Sequence, residues 1–164
     1  MSNNSKENKK MVLFVAIVGA LAGLIFGVDV GVISGVLPLL AQNMSLSHHA
    51  QEMVVSSALL GAVIGALASN PLSRWLGRKT TIILSAIIFS LGAILCAIAP
   101  NLTLLVIFRI FLGLALGMAS FTAPVYLSEI APKKSRGAVI SAYQFLITIG
   151  ILLAFVSDSL LEPT

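Results

Sequence analysis

The sequence predicts an all-α membrane protein with five transmembrane helices, and three observations carry that prediction. First, 58% of the residues are hydrophobic and only 10% are charged, where a soluble domain holds about 45–50% and about 25%. Second, the apolar residues gather into five stretches, each long enough for the roughly 20 residues that a spanning helix needs. Third, no stretch alternates with period two, as the strands of a lipid-spanning barrel do. Backbone polar groups must be satisfied within the segment in lipid, so the stretches are expected to be helices. The same composition excludes an ordinary soluble domain and intrinsic disorder.

The first stretch covers residues 11–41 and follows a short polar tail, residues 1–10. Lys6, Lys9 and Lys10 before an apolar run look like a secretory signal, but the run is about 30 residues long, against 7–15 for a signal core. It is therefore expected to be an uncleaved span. The other spans are expected at residues 50–72, 80–99, 102–127 and 138–156, with a short tail over 158–164. Pro38, Pro71, Pro100 and Pro132 lie near the boundaries.

Charge gives the orientation. Lys6, Lys9 and Lys10 precede helix 1, Arg74, Arg78 and Lys79 lie between helices 2 and 3, and Lys133, Lys134 and Arg136 lie between helices 4 and 5. Residues 42–49 and 100–101 carry no Lys or Arg. The excess of basic residues in cytoplasmic loops then places the N-terminus in the cytoplasm. Asp158 and Glu162 are the charges near the outer C-terminus. The net charge of +4 is spread over these clusters and forms no continuous basic face, so no nucleic acid is expected as a partner. One cysteine, Cys96, allows neither an intrachain disulfide nor a cysteine metal site.

Small residues form stripes. Gly19, Gly23, Gly27, Gly31 and Gly35 recur every four residues in helix 1, Ser57, Gly61, Gly65 and Ser69 do so in helix 2, and Gly113 and Gly117 do so in helix 4. Residues four apart share a face, and small residues let membrane helices approach closely. Helices 1, 2 and 4 are expected to pack as neighbours. The glycine run also lowers the stability of helix 1, and broken helices are common at transporter sites.

Two charges lie inside apolar runs, Asp29 and Arg109. Each costs about 2.5–3.5 kcal/mol at mid-membrane on insertion scales, so each needs a partner or water. Asp29 is 12 residues from the far end of helix 1, roughly 18 Å; Arg109 is about 11 Å into helix 4 from the same side. Similar depths make them candidate partners. Three readings stand: a fixed ion pair that aids assembly, a proton switch, or charges that line a water-filled cavity. In the switch, Arg favours the ionised Asp and desolvation opposes it, so the carboxyl takes up a proton when its partner moves or substrate binds. Gln144 in helix 5 is either a ligand for hydroxyl groups or a helix–helix hydrogen bonder. His48 and His49 are expected to be solvated loop residues. Asn43 and Asn101 begin Asn-x-Ser/Thr sequons. No Walker loop, zinc motif or nucleophile elbow occurs, so an enzyme is not expected, nor any cofactor or metal.

Three motifs then resemble one family. They are Gly77-Arg78-Lys79, Arg109-x3-Gly113-x3-Gly117, and Pro124-x-Tyr126-x2-Glu129-x-Ala131-Pro132-x3-Arg136-Gly137. Together, in this order, they resemble the sugar porters of the major facilitator superfamily, most of all the bacterial galactose– and arabinose–proton symporters. The resemblance implies a twelve-helix fold of two six-helix halves, of which this chain would be an incomplete N-terminal half. It implies sugar–proton symport by alternating access in a plasma (inner) membrane. It assigns proton coupling to Asp29 and Arg109, sugar contact to Gln144, and a cytoplasmic gate to Arg78, Glu129 and Arg136. The loop after helix 2 departs from the family pattern: Arg74 and Trp75 stand where an Asp or Asn and an Arg are usual. The resemblance fades after Asp158, before a sixth helix. The alternative is a truncated or accessory five-helix protein that transports nothing alone and docks on a missing C-terminal half or another membrane subunit.

Overall fold

The computed structural model describes residue 17 and residues 23–41 and 47–161. Five helices are long and apolar enough to cross a membrane. They are α1 Gly23–Ala41, α2 His48–Leu76, α3 Arg78–Ala97, α4 Leu102–Ile130 and α5 Arg136–Leu161. Gly19, Asn43, Glu162 and the N-terminal tail lie outside the described residues.

The described helices outrun most of the expected bounds. Pro71 does not end α2, and Pro124 sits within α4. Proline removes one backbone donor, and a membrane helix tolerates this where neighbouring groups satisfy the freed carbonyl. Among the described residues, four members of the basic clusters are helical and Lys133 and Lys134 lie in the turn before α5. Arg74 is in the last turn of α2, Arg78 and Lys79 open α3, and Arg136 opens α5. Long cationic side chains at helix ends reach water without leaving the helix. His48 and His49 form the first turn of α2, not a loop. Asp158 is part of α5, not of a tail.

Local chemistry fixes the ends. The Ser47 hydroxyl accepts from the Ala50 amide at 3.3 Å. The Asn101 side chain accepts from the Leu104 amide at 3.0 Å. Each oxygen satisfies a first-turn donor that would otherwise be orphaned. A single residue, Gly77, joins α2 to α3 with φ 81 and ψ 154, a backbone region that is essentially glycine-only.

The chain divides into two compact units. One takes Met1–Val36 and Pro124–Thr164, and thus most of described α1, the end of α4 and all of α5. In it, a Cβ at Gly23 would lie 2.7 Å from the Tyr143 carbonyl oxygen. Gly27 and Gly31 face the carbonyls of Ile147 and Ile151 in the same way. The partners advance in step, so α1 and α5 run parallel. Gly150 returns the contact, onto the Leu24 carbonyl.

The other unit, Leu37–Ala123, holds α2, α3 and the first part of α4. Here the contact is reciprocal: Gly61 and Gly65 meet the carbonyls of Ile110 and Leu114, while Gly113 and Gly117 meet those of Ala58 and Ala62. Backbones this close gain van der Waals contact and Cα–H···O attraction, which drive association where lipid offers no hydrophobic effect. Gly92 lays α3 on Leu112 of α4. The buried hydroxyls of Ser57, Ser69, Thr81 and Ser85 return to carbonyls of their own helix or the turn before it, at 2.7–2.9 Å. They fill the seams without needing partners across them.

The stripes are therefore packing faces, and within the units the α2–α4 pairing is as expected, while α5 enters as a partner of α1 that the stripes did not announce. α2 pairs with α4, and α1 has α5 as its partner. In α5 only Gly150 lies on that seam as a glycine, so no repeat announces it; the large residues Tyr143, Ile147 and Ile151 present their carbonyls instead.

The α2–α4 seam predicts that Gly65→Leu costs about 1–3 kcal/mol, as overpacking does, because the Leu114 backbone cannot yield. Gly137, whose Cβ position is open, should accept alanine with no loss, or with a gain of up to about 1 kcal/mol. Thermal unfolding of both variants in one detergent checks this; equal midpoints would overturn the seam.

Candidate functional site

The intramembrane acid sits on α1, two residues from both Gly27 and Gly31. Two residues turn a helix by roughly 200°, so Asp29 lies on the side of α1 away from the α5 seam. It is half-buried and engaged with a partner. Gln144 follows Tyr143, which is buried at the Gly23 contact, and is itself exposed beside that seam. The Gly27 and Gly150 contacts set Gln144 level with the start of described α1, roughly 10 Å along the axis from Asp29. The seam does not bring these two side chains together.

Arg109 belongs to the other unit. It stands one turn before Gly113, on the side of α4 that packs against α2, and is half-buried. Of the expected gate residues, Glu129 is exposed in the last turn of α4 and Arg136 is exposed at the start of α5. Both lie in the first unit and Arg78 in the second. Arg78 and Glu129 are each engaged with a partner.

Several polar groups carried no signal in the sequence, or a different one. Asp158 looks like a terminal surface charge. In the structure its carboxylate presses on Gly35, and its Oδ2 is buried without a hydrogen-bond partner among the described residues. The periodicity of α5 could have revealed this, because Asp158 continues the series Tyr143, Ile147, Ile151, Ala154 that faces α1. Thr122, fully buried near Pro124, has a hydroxyl without a partner among the described residues. No pattern singles out one threonine in an apolar helix. Asn101, noticed only as part of a sequon, is the α4 cap.

A cleft of about 470 Å³ opens at the capped end of α2, lined by Leu37, His48, Gln51, Glu52, Val55, Ser56 and Leu59. None of the expected site residues lines it. His49 and Glu52 sit 3.5 Å apart nearby, both well exposed, where such a pair contributes little. Among the described residues no group of three or more His, Cys, Asp or Glu could hold a metal ion.

Five apolar helices, two of them bearing intramembrane charges, define a multi-pass membrane protein of the transporter class. The family model for "Sugar (and other) transporter" matches residues 15–163, and the chain belongs to that family, one of transporters and not of enzymes. It is 52% identical over 159 residues to the galactose-proton symporter of Escherichia coli K12, covering 97% of this chain and 34% of that protein. It is 48% identical over 154 residues to the arabinose-proton symporter of the same organism, covering 94% and 33%. The solved proton:xylose symporter XylE bound to 6-bromo-6-deoxy-D-glucose is similar in fold, with TM-score 0.82 and 28% identity over 93% of this chain and 38% of that one. XylE from E. coli in an inward-open conformation matches with TM-score 0.80 and 28% identity over 93% of this chain and 40% of that one. The chain thus spans about a third of the length of the curated relatives it matches, and the structural likeness places it within the major facilitator fold.

Asp158→Ala removes a buried acceptor that has no partner, and a group of that kind costs about 1–3 kcal/mol. The variant is expected to be at least as stable as the parent, with a gain near 1 kcal/mol in detergent unfolding. A clear loss would mean that the carboxylate is engaged.

Proposed function

We propose that this chain forms the first five helices of a proton-coupled sugar symporter that works by alternating access. The observation that carries the reading is 52% identity to a galactose-proton symporter across 97% of this chain. Asp29 is the proton acceptor and Arg109 its counter-charge, a pairing that rests on their similar depth in the sequence and on the family motif. Exposed on α5, Gln144 offers an amide to sugar hydroxyls. Arg78, Glu129 and Arg136 form a cytoplasmic gate.

The protein is a multi-pass membrane protein. We place it in the plasma (inner) membrane with its N-terminus in the cytoplasm, because the basic clusters at the helix 2–3 and 4–5 connections share one side with the N-terminal lysines. Alternating access needs two bodies that rock about a midplane site. The partner surface is therefore a second transporter half or another membrane subunit, and the five helices by themselves are expected not to accumulate sugar.

The test is a chimera in which this chain replaces the matching third of the E. coli galactose-proton symporter. Energised cells carrying the chimera should accumulate galactose. Asp29→Asn in the chimera should abolish accumulation while sugar exchange down its gradient persists. Gln144→Ala should raise KM about tenfold, the equivalent of one good hydrogen bond. A folded, membrane-inserted chimera without uptake would sink the reading as a whole. Persisting accumulation in Asp29→Asn would remove Asp29 from the coupling site.

A further inference from the structure

We propose that the turn joining α2 to α3 is a binding site for the phosphate headgroup of an anionic phospholipid, built by Arg74, Trp75 and Lys79. Trp75 is 91% exposed, the highest value among the exposed large apolar side chains. It stands one residue from the end of α2, and Leu76 beside it is also exposed. A bare indole at the end of two spanning helices sits at the level of the lipid headgroups, where its apolar ring and polar N–H are both accommodated.

Charge makes the site selective. Arg74 precedes the indole, and Lys79 follows it across the one-residue Gly77 turn; both are exposed. Among the described residues neither is paired with a carboxylate. The acid of their own unit is Glu52, 22 residues before Arg74 along the same helix, roughly 33 Å away. Arg78 already has a partner and is left out of the site. Two unneutralised cations thus flank one apolar ring. A soluble anion would use the cations and leave the ring in water, and a neutral lipid would use the ring and leave the cations without counter-charge. An anionic phospholipid satisfies both, because guanidinium binds phosphate through parallel hydrogen bonds while the acyl chain covers the indole. The departure from the family pattern, Arg74-Trp75, is what creates this combination.

Trp75 is also the one tryptophan of the chain, so the site carries its own reporter. The protein is reconstituted in vesicles containing either phosphatidylglycerol or phosphatidylcholine with brominated chains, at equal mole fraction in an otherwise identical lipid mixture. Bromine quenches indole on contact. Brominated phosphatidylglycerol should cause at least a roughly twofold greater loss of fluorescence, because two surface cations enrich anionic lipid well above its mole fraction. The double variant Arg74→Gln/Lys79→Gln should remove the difference. Lys133→Gln/Lys134→Gln, with the same change in net charge, should retain it. Equal quenching by the two lipids in the parent chain would overturn the proposal. So would a preference that survives loss of Arg74 and Lys79, or one that disappears in the Lys133/Lys134 variant. Displacement of the lipid by millimolar inorganic phosphate at matched ionic strength would overturn it as well, by making the site one for a soluble anion.

Discussion

The contact on which the rest of the structure depends is glycine against carbonyl. In both units a helix presents Cα hydrogens to the backbone oxygens of its neighbour, four residues at a time. In water such a seam would be a poor choice, because glycine buries little apolar area and weakens helices. In lipid the side chains of two helices gain little by leaving the acyl chains, and close backbone approach supplies the attraction instead. Once the stripes are in register, the directions of the remaining side chains follow. Asp29 lies away from α5 because Gly27 and Gly31 face it, and Arg109 faces α2 because it heads the row that continues as Gly113 and Gly117.

The same solvent governs the polar groups. The seam hydroxyls of Ser57, Ser69 and Ser85 close onto nearby carbonyls of the same helix, so these three add no donor that lipid would leave unsatisfied. The first turns of α2 and α4 are capped by Ser47 and Asn101. Arg74, Arg78, Lys79 and Arg136 stand in terminal turns, where long stems carry charge to the headgroups. Asp29 and Arg109, both half-buried within the apolar runs, are charges that need a partner or water at such a depth. The chain belongs to a family of sugar and other transporters, and the relatives it resembles include galactose- and arabinose-proton symporters.

Much of this was legible in the linear sequence. Five spans, their order and the small-residue faces follow from hydropathy and a four-residue spacing, because lipid imposes one rule on every segment. The family followed from three motifs in order. Helix ends were less legible. Pro71 lies near an expected boundary, yet helix continues past it to Leu76, since a proline in lipid breaks one bond that neighbouring groups can offset. The candidate site was legible as residue types at suitable depths, Asp29, Arg109 and Gln144, but not as an arrangement. Asp158, taken for a tail charge, shows the limit: only the α1–α5 seam reveals that its carboxylate is pressed on Gly35.

The sequence by itself determined that the chain lives in a membrane, how many times it crosses and which faces of its helices are thin enough to touch. Those properties depend on residues near one another along the chain, so composition and period suffice. The tertiary structure decided which thin face meets which partner. Helix 1 carries the longest glycine stripe, yet its partner is α5, where Gly150 is the one glycine at the contact. A carbonyl is present at every residue, so the accepting side of such a seam leaves no mark in the sequence. The choice among partners is made by the geometry of the whole bundle.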